Sequence, residues 1–398
     1  MPVREAGKAS SWSGGIIAKI VHMSDSHLGF QDLNKVDEKG RNIIENMVYS
    51  GFITTIEKII ELKPDAVVHA GDVFHRERPG IRPLYVFKKG LERLNDAGIP
   101  IIIINGNHDA PKSWVKTSPF CIYEGMKDLN MAHRGEYKYF DIDDHRFHCI
   151  PYCLDAEKSK SEFSKIGDRR GGVLIMHGMV KSMWSERRND VGEYELDDSF
   201  LKSDFDYIAL GHSHGQRKVS KNAWYSGSVE CFSFDEFRQR KGILLVDLSA
   251  GRIEPQQIVI YKSKYRIDYP PIDCSGLSSG DIISEIYGKC NLGEIADKII
   301  RCNLTNVDRD QYKKINPSIL AELRSQCIDL KITCEFKEEK LMDMQMSGAN
   351  LSEEFSKYIG EELSKKSFNK ELKDKVLKYG SDLMNEVEKA RNTEVFNK

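Results

Sequence analysis

Five short apolar runs in this chain each end abruptly in side chains that can bind a metal, and no other feature restricts the fold as much. Residues 18–23 end in Ser24-Asp25-Ser26-His27, and residues 65–70 end in Gly71-Asp72-Val73-Phe74-His75. Residues 101–104 end in Asn105-Gly106-Asn107-His108-Asp109, residues 173–176 in His177-Gly178, and residues 207–210 in Gly211-His212-Ser213-His214. Apolar runs of this length, closed by such breaks, read as buried strands. In open α/β sheets the carboxyl ends of the strands line the crevice where ligands bind. One polar strand end is ordinarily a turn or a helix cap. Five in one chain, none with a catalytic Ser or Cys, predict a shared metal site built from Asp25, His27, Asp72, Asn107, His177, His212 and His214.

The intervening sequence supplies the helices. Ile43, Ile44, Met47, Val48, Phe52, Ile56, Ile59 and Ile60 recur at helical spacing ahead of Pro64. Leu84, Phe87, Leu91 and Leu94 do the same ahead of Gly98 and Pro100. Strand, helix, strand, helix, strand at this spacing builds right-handed crossovers and a parallel sheet. From Tyr137 the pattern turns to short alternating runs over 138–142 and 146–150, expected as antiparallel additions in a second layer of sheet. Residues 155–170 are charged and aperiodic and read as a surface loop. Residues 183–198, with Trp184, Arg187 and Arg188, read as a loop at the crevice rim. A strand over 242–247 completes this domain.

Past Gly251 the composition shifts. Residues 257–261, 281–287, 298–304, 317–324 and 328–336 read as strand, helix, strand, helix, strand without any histidine or ligand cluster. The joint Lys337-Glu338-Glu339-Lys340 then leads to two amphipathic helices. One has Leu351, Phe355, Tyr358, Ile359 and Leu363 on a face, the other Leu372, Val376, Leu377, Leu383, Met384 and Val387. They pack back on the accessory region or dock in a partner's groove. The expected organisation is a flexible extension over 1–17, a catalytic domain over 18–250, a small α+β capping domain over 251–337, and a linker with C-terminal helices over 338–398.

Composition narrows the function classes. A formal charge of −2 argues against coating nucleic acid through bulk charge and leaves room for a local basic groove. Arg76, Arg78, Arg82, Arg187, Arg188, Arg238, Arg240 and Lys241 recur beside the metal-bearing loops and favour a polyanionic substrate. Nine cysteines without a C-x-x-C pair point to reduced thiols that fill the core, and a zinc–thiolate site is not favoured. The first seventeen residues lack the apolar core of a signal peptide, and no run approaches a membrane span. A cytoplasmic protein without a membrane partner is expected, associated with the nucleoid if prokaryotic.

One carboxylate amid such a ligand set can bridge two cations, and Asp72, on the central strand, is placed to do so. Two metals about 3.5–4 Å apart clamp the attacking and leaving oxygens of a phosphoryl displacement. Mixed imidazole, carboxylate and amide ligands suit manganese, iron or zinc better than calcium, with magnesium weaker still. His108 directly follows a proposed ligand and is placed to face the substrate phosphate and protonate the leaving oxygen, with Asp109 holding its tautomer. His75 is assigned related work. His22, His69, His133, His145 and His148 read as core or surface residues.

At these residues the chain resembles the calcineurin-like metallophosphoesterases, whose blocks are D-x-H, G-D-x-x-H or G-D-x-x-D, G-N-H-D/E, H and G-H-x-H. All five stand here: Asp25/His27, Gly71-Asp72/His75, Gly106-Asn107-His108-Asp109, His177 and Gly211-His212/His214. Residues 21–29, 71–79 and 107–111 are most similar to the Mre-eleven/SbcD double-strand-break repair nucleases. His75 adds to that likeness, since protein phosphatases of the group have Asp there. The resemblance implies a four-layer α/β sandwich with two manganese ions per subunit, magnesium, iron or zinc being alternatives. It places Asp25, His27, Asp72 and His214 on one metal and Asp72, Asn107, His177 and His212 on the other. It makes His108 the catalytic histidine and His75 an aid to nuclease activity. It further implies 3′–5′ exonuclease and single-strand endonuclease activity on DNA ends and single strands, a homodimer, and an SMC-like ATPase partner of the Rad-fifty/SbcC type held by the C-terminal helices. The same metal core also suits a phosphatase or cyclic-nucleotide phosphodiesterase, and the chain could serve mainly as a scaffold that tethers DNA ends.

Overall fold

The computed structural model describes residues 19–113, 116–186, 195–249, 254–261, 265–290, 295–337, 359, 372 and 374–383. The chain divides into two compact units, Met1–Glu335 and Phe336–Lys398. In the first, β1 (Lys19–Met23), α1 (Ile43–Leu62), β2 (Ala66–Ala70), α2 (Ile81–Asp96) and β3 (Ile101–Ile104) alternate as the apolar spacing predicts, and β4 (Leu129–Ala132) follows. Helix α1 begins where the Asn42 side chain accepts the Glu45 N–H, and it ends at a left-handed Lys63 before Pro64.

Next come β5 (Lys138–Ile142), β6 (His145–Ile150), α3 (Ala156–Ser164), β7 (Val173–His177) and the short parallel pair β8 (Met179–Val180) and β9 (Glu195–Leu196). Then β10 (Tyr207–Gly211), β11 (Arg217–Lys218), β12 (Ala223–Tyr225), β13 (Lys241–Asp247) and β14 (Gln256–Tyr261) complete two six-stranded sheets. One sheet has the order β14-β13-β1-β2-β3-β4, the other β11-β12-β10-β7-β6-β5. Strands β1 to β4 are mutually parallel, as are β6, β7, β10 and β12.

Strand alternation sorts the side chains into layers. Val21, Val67, Ile101 and Ile103 face Phe52, Ile56, Phe87 and Leu91 of the first two helices. Ile20, Val68, Ile102 and Ile104 face Phe147, Val173, Ile175 and Tyr207 of the opposite sheet. Leu174, Met176, Ile208 and Leu210 point outward to Phe163 and Ile166. This is the expected four-layer α/β sandwich.

Three segments differ from the sequence reading, one of them residues 183–198, expected as a loop, where β9 pairs with β8. Residues 155–170 are not a plain loop, because α3 lies within them, started by the Asp155 side chain accepting the Lys158 N–H. Only Phe163 and Ile166 anchor the segment, too few apolar residues to show a period. Strand β14 pairs antiparallel with β13 at the edge of the first sheet, where the sequence suggested the opening strand of the accessory region. Its alternation explains the placement: Ile258 and Ile260 pack on the α1 side while Val259 is exposed.

The remaining elements are β15 (Arg266–Asp268), β16 (Ile272–Asp273), α4 (Ser279–Lys289), β17 (Ile299–Val307), α5 (Arg309–Lys313), α6 (Pro317–Ser325) and β18 (Asp329–Phe336). They form a separate four-stranded sheet around β17. Ile299 and Ile328 join Ile44 and Phe234 in a common apolar cluster. The buried Arg266 guanidinium donates to the carbonyls of Cys231 and Phe232 and pairs with Asp32 at 2.9 Å. No helix among the described residues is long and apolar enough to cross a membrane. Residues 1–17 and most of the predicted C-terminal helices lie outside the described residues.

Replacing Ile175, wholly buried between the two sheets, by Ala leaves a cavity that the facing strands cannot collapse onto. The expected cost is about 2–5 kcal/mol in urea denaturation at unchanged secondary structure.

Candidate metal centre

All five predicted strand ends meet at one rim. The tips of the two sheets touch there: His177, at the end of β7, donates its Nδ1–H to the Ala70 carbonyl at the end of β2, 2.8 Å away. That contact needs backbone on backbone. Gly211 admits no Cβ because the Ala70 carbonyl occupies its place, and at Gly71, with φ +95°, a Cβ would overlap the His177 ring. Strand β1 continues beside β2 beyond the sheet proper, through His27 N–H to Asp72 O at 3.0 Å and Leu28 N–H to Val73 O at 2.8 Å.

The turns that follow are strained. Asp25 (φ 52°), His27 (φ 43°), Asp72 (φ 54°) and His212 (φ 105°) all occupy the left-handed region, which side chains other than glycine rarely adopt. Such conformations persist where the surroundings over-determine them, as at ligand sites. Here four of the seven proposed ligands are held this way.

The seven side chains form two groups with Asp72 between them. In one group His27 Nε2 lies 3.0 Å from His214 Nε2, and Asp25, His27 and His214 stand within metal-chelating reach of one another. In the other, Asn107 Oδ1 lies 2.9 Å from His177 Nε2 and 3.0 Å from His212 Nδ1. Asp72 Oδ2 is 3.7 Å from His27 Nε2 and 3.5 Å from His177 Nε2. Its Oδ1 accepts the His108 N–H at 2.8 Å. Asp25 is fixed by the His212 N–H at 3.1 Å and by the Ser24 hydroxyl.

Tautomers follow from the outer bonds. With Nδ1–H of His177 committed to Ala70 O, its Nε2 is the atom turned to Asn107 Oδ1 and Asp72, where either a proton or a cation can sit. His214 donates Nδ1–H to Glu236 Oε1 at 2.9 Å, which leaves its Nε2 bare. Metal-binding imidazoles are typically oriented this way, by an outer carbonyl or carboxylate.

Electrostatics fits a cation as well. Burial pushes Asp72 towards neutrality, yet His177, His27 and His108 outweigh it and hold the carboxyl well below the usual range. Burial lowers His27 well below its ordinary value, against the pull of Asp72 and with the neighbouring imidazoles adding to the effect. Burial would lower His177 too, but Asp72 and Asp25 raise it to about 9. A position that holds a proton so firmly is one that a metal cation fills in the proton's stead.

His75 and His108 stack 5.1 Å apart beside His27. Burial, then His108 and Arg76, lower His75 to about 4. The ring of His108 is held by the His75 carbonyl, 3.1 Å from Nδ1, and not by Asp109. Asp109 accepts instead from the backbone N–H groups of Gly106 and Phe74, tying the third strand end to the second. Burial and the Asp72 charge raise its carboxyl to about 8.

Two of the predicted basic groups do other work. Lys241 is fully buried, its Nζ donating to His214 O, Ser228 Oγ, Glu236 Oε2 and Gln239 Oε1. Arg82 pairs with Glu45 and Asn46 of α1. Arg76, Arg78, Arg238 and Arg240 are exposed, and Arg187 and Arg188 lie outside the described residues. His22 and His69 are core residues, bonded to Tyr207 and Ser26. Sequence reasoning missed Glu236. Burial pushes its carboxyl up, but His214 and Lys241 bring it down to about 2, so it stands as a charged anchor behind His214. It sits in an ordinary polar stretch with nothing to mark it.

Two sheets whose tips gather paired carboxylate, imidazole and amide ligands define a phosphoester hydrolase with a dinuclear metal centre. Comparison with known proteins agrees. Residues 18–216 match the calcineurin-like phosphoesterase family. The chain is 31% identical over 354 residues to the DNA double-strand break repair protein Mre11 of Methanococcus maripaludis, covering 79% of this chain and 91% of that protein. It is 27% identical over 296 residues to the Mre11 protein of Methanocaldococcus jannaschii, covering 71% and 73%. It is 28% identical over 265 residues to the SbcD component of the SbcCD nuclease of Staphylococcus saprophyticus, covering 59% and 67%. The chain therefore belongs to the calcineurin-like phosphoesterases, in the group that holds Mre11 and SbcD.

Glu236→Gln keeps the size of the side chain and removes the charge behind His214. Its affinity for Mn²⁺, followed by calorimetric titration, should fall about 10–100-fold while the fold is retained. In the native protein divalent-ion affinity should weaken steadily as pH is lowered from about 9, because the His177 proton competes for the same lone pair.

Proposed function

We propose that this chain is a manganese-dependent DNA nuclease subunit acting in double-strand-break repair. The observation that carries the reading is the Asp72 carboxylate held between two ligand groups, with the His75/His108 pair beside them. The names of the relatives supply the substrate class, since they include a DNA double-strand break repair protein and a nuclease component. Asp25, His27, Asp72 and His214 would hold one ion, and Asp72, Asn107, His177 and His212 the other. Bound there, two divalent cations would lower the pKa of the attacking water and neutralise the charge that develops on the phosphodiester.

The protein's own groups do the rest. Asp72 Oδ1 fixes the His108 backbone, and the His75 carbonyl takes the His108 Nδ1–H. The opposite nitrogen, Nε2, is then free to carry a proton to the leaving 3′ or 5′ oxygen. His75, kept neutral by its surroundings, positions His108 and crowds water from that side. Exposed Arg76 and Arg78 follow the Asp72 loop and suit a DNA backbone.

The wider reading extends to 3′–5′ exonuclease and single-strand endonuclease action, a homodimer, a capping domain that begins after β14 and contacts DNA, and an SMC-like ATPase partner. Leu372, Val376, Tyr379 and Leu383, all exposed, follow one another at the four-three-four spacing of a helical seam and support docking to a coiled coil.

Purified chain incubated with end-labelled duplex and Mn²⁺ should release nucleotides, and His108→Ala should slow release about 10²–10⁴-fold. Asp72→Ala should abolish it. Equal degradation by wild type and variants contradicts the nuclease reading. Phosphate release from a small monoester without attack on DNA marks a phosphatase instead.

A further inference from the structure

A second group of metal-capable side chains lies away from the dinuclear rim, on the single-turn 3-10 helix Pro119–Tyr123 and the end of β4. Cys121 and Glu124 are three residues apart, and side chains at that interval eclipse on a 3-10 turn. His133 follows β4 and faces them. One ligand atom from each of the three lies within 4.8 Å of the others. His133 Nε2 stands 3.2 Å from Glu124 Oε1. Donors about 2.0–2.1 Å from a tetrahedral ion are separated from each other by about 3.3 Å, so the observed gap is that of two ligand corners.

We propose that Cys121, Glu124 and His133 form a mononuclear site for a soft divalent cation of the zinc type, distinct from the dinuclear centre. The donor set sets the metal: one thiolate, one imidazole and one carboxylate select zinc or cobalt over manganese and magnesium. The dinuclear rim has no sulfur. The His133 ring is 3% exposed and turns its Nε2 to Glu124, while its Nδ1, the nitrogen away from that contact, has no hydrogen-bond partner among the described residues. A cavity of about 520 Å³ opens beside Cys121 and His133, with Asn105 Oδ1 as a second buried, unpartnered polar atom on its wall. Water from that cavity can complete a fourth position.

The lysines on the cavity wall are paired away from the site. Lys116 and Lys158 on the cavity wall pair with Glu77 and Glu162. Arg134 lies 2.9 Å from Glu124 Oε1, but its side chain is 62% exposed and can swing into solvent. Binding replaces the Cys121 thiol proton, which passes to water, and leaves the sulfur as thiolate. The ion would staple the 3-10 turn to β4, next to β3, the strand that leads into the loop of Asn107 and His108.

Titration of the metal-free chain with Co²⁺ tests this, because only a thiolate ligand gives the sulfur-to-cobalt charge-transfer absorption. The wild-type chain should develop that band, and excess Zn²⁺ should remove it. Cys121→Ser should abolish the band, and His133→Gln should weaken Co²⁺ binding at this site at least tenfold, while circular dichroism and Mn²⁺ binding at the dinuclear rim stay as in wild type. Asp72→Ala should keep the band. No charge-transfer band in the wild-type chain, or an undiminished band in Cys121→Ser, overturns the proposal. Neither outcome depends on cleavage of DNA.

Discussion

The Asp72 carboxylate, wholly buried and set between His27 and His177, is the interaction on which the rest of this structure depends. A lone carboxylate in such a place is costly to ionise, and only concentrated positive charge makes it favourable. Imidazoles crowd it from three loops; without a cation His177 holds a proton against it, while burial keeps His27 from doing the same. The site is thus unfavourable when empty of charge and favourable when cations enter. Stability and metal binding are two views of one balance.

That balance dictates much of the fold. Bringing His177 to Asp72 requires the tips of two separate sheets to meet, and they do so through an imidazole on a backbone carbonyl, at glycines that leave no room for a Cβ. The left-handed turns at Asp25, His27, Asp72 and His212 are the local cost of turning the metal-capable side chains inward within four residues of the strand ends. Cooperative burial between the sheets offsets that cost. Behind the ligands, Glu236 and the buried Lys241 hold His214, and Phe232 packs against both His27 and His214. The same Phe232 carbonyl accepts from Arg266 of the small sheet, so that sheet is wired to the centre through one loop.

The cluster of metal-capable side chains was legible in the sequence because each member sits beside a strand end. A strand end is the one place where an apolar run must stop, so chemistry placed there stands out against it. The helices α1 and α2 were legible for a similar reason, each burying one full stripe. What escaped was held by contacts remote in sequence. Glu236 meets His214 across 22 positions without a local pattern. Lys241 read as a surface cation, and only the structure shows four acceptors closing around its ammonium group. Asp109 read as the orienting partner of the adjacent His108 because adjacency is what a sequence displays; the loop turns its carboxylate to two backbone amides instead. Strand β14 carries a clear alternation, but alternation does not say which sheet a strand will join.

The central claim is that one aspartate joins two cations, and electron paramagnetic resonance of the manganese-loaded chain tests it most directly. Two ions per chain with an exchange-coupled multiline spectrum, collapsing to the signal of isolated ions in Asp72→Asn, is the predicted result. A single uncoupled ion per chain, or coupling that survives loss of the Asp72 charge, would contradict the account.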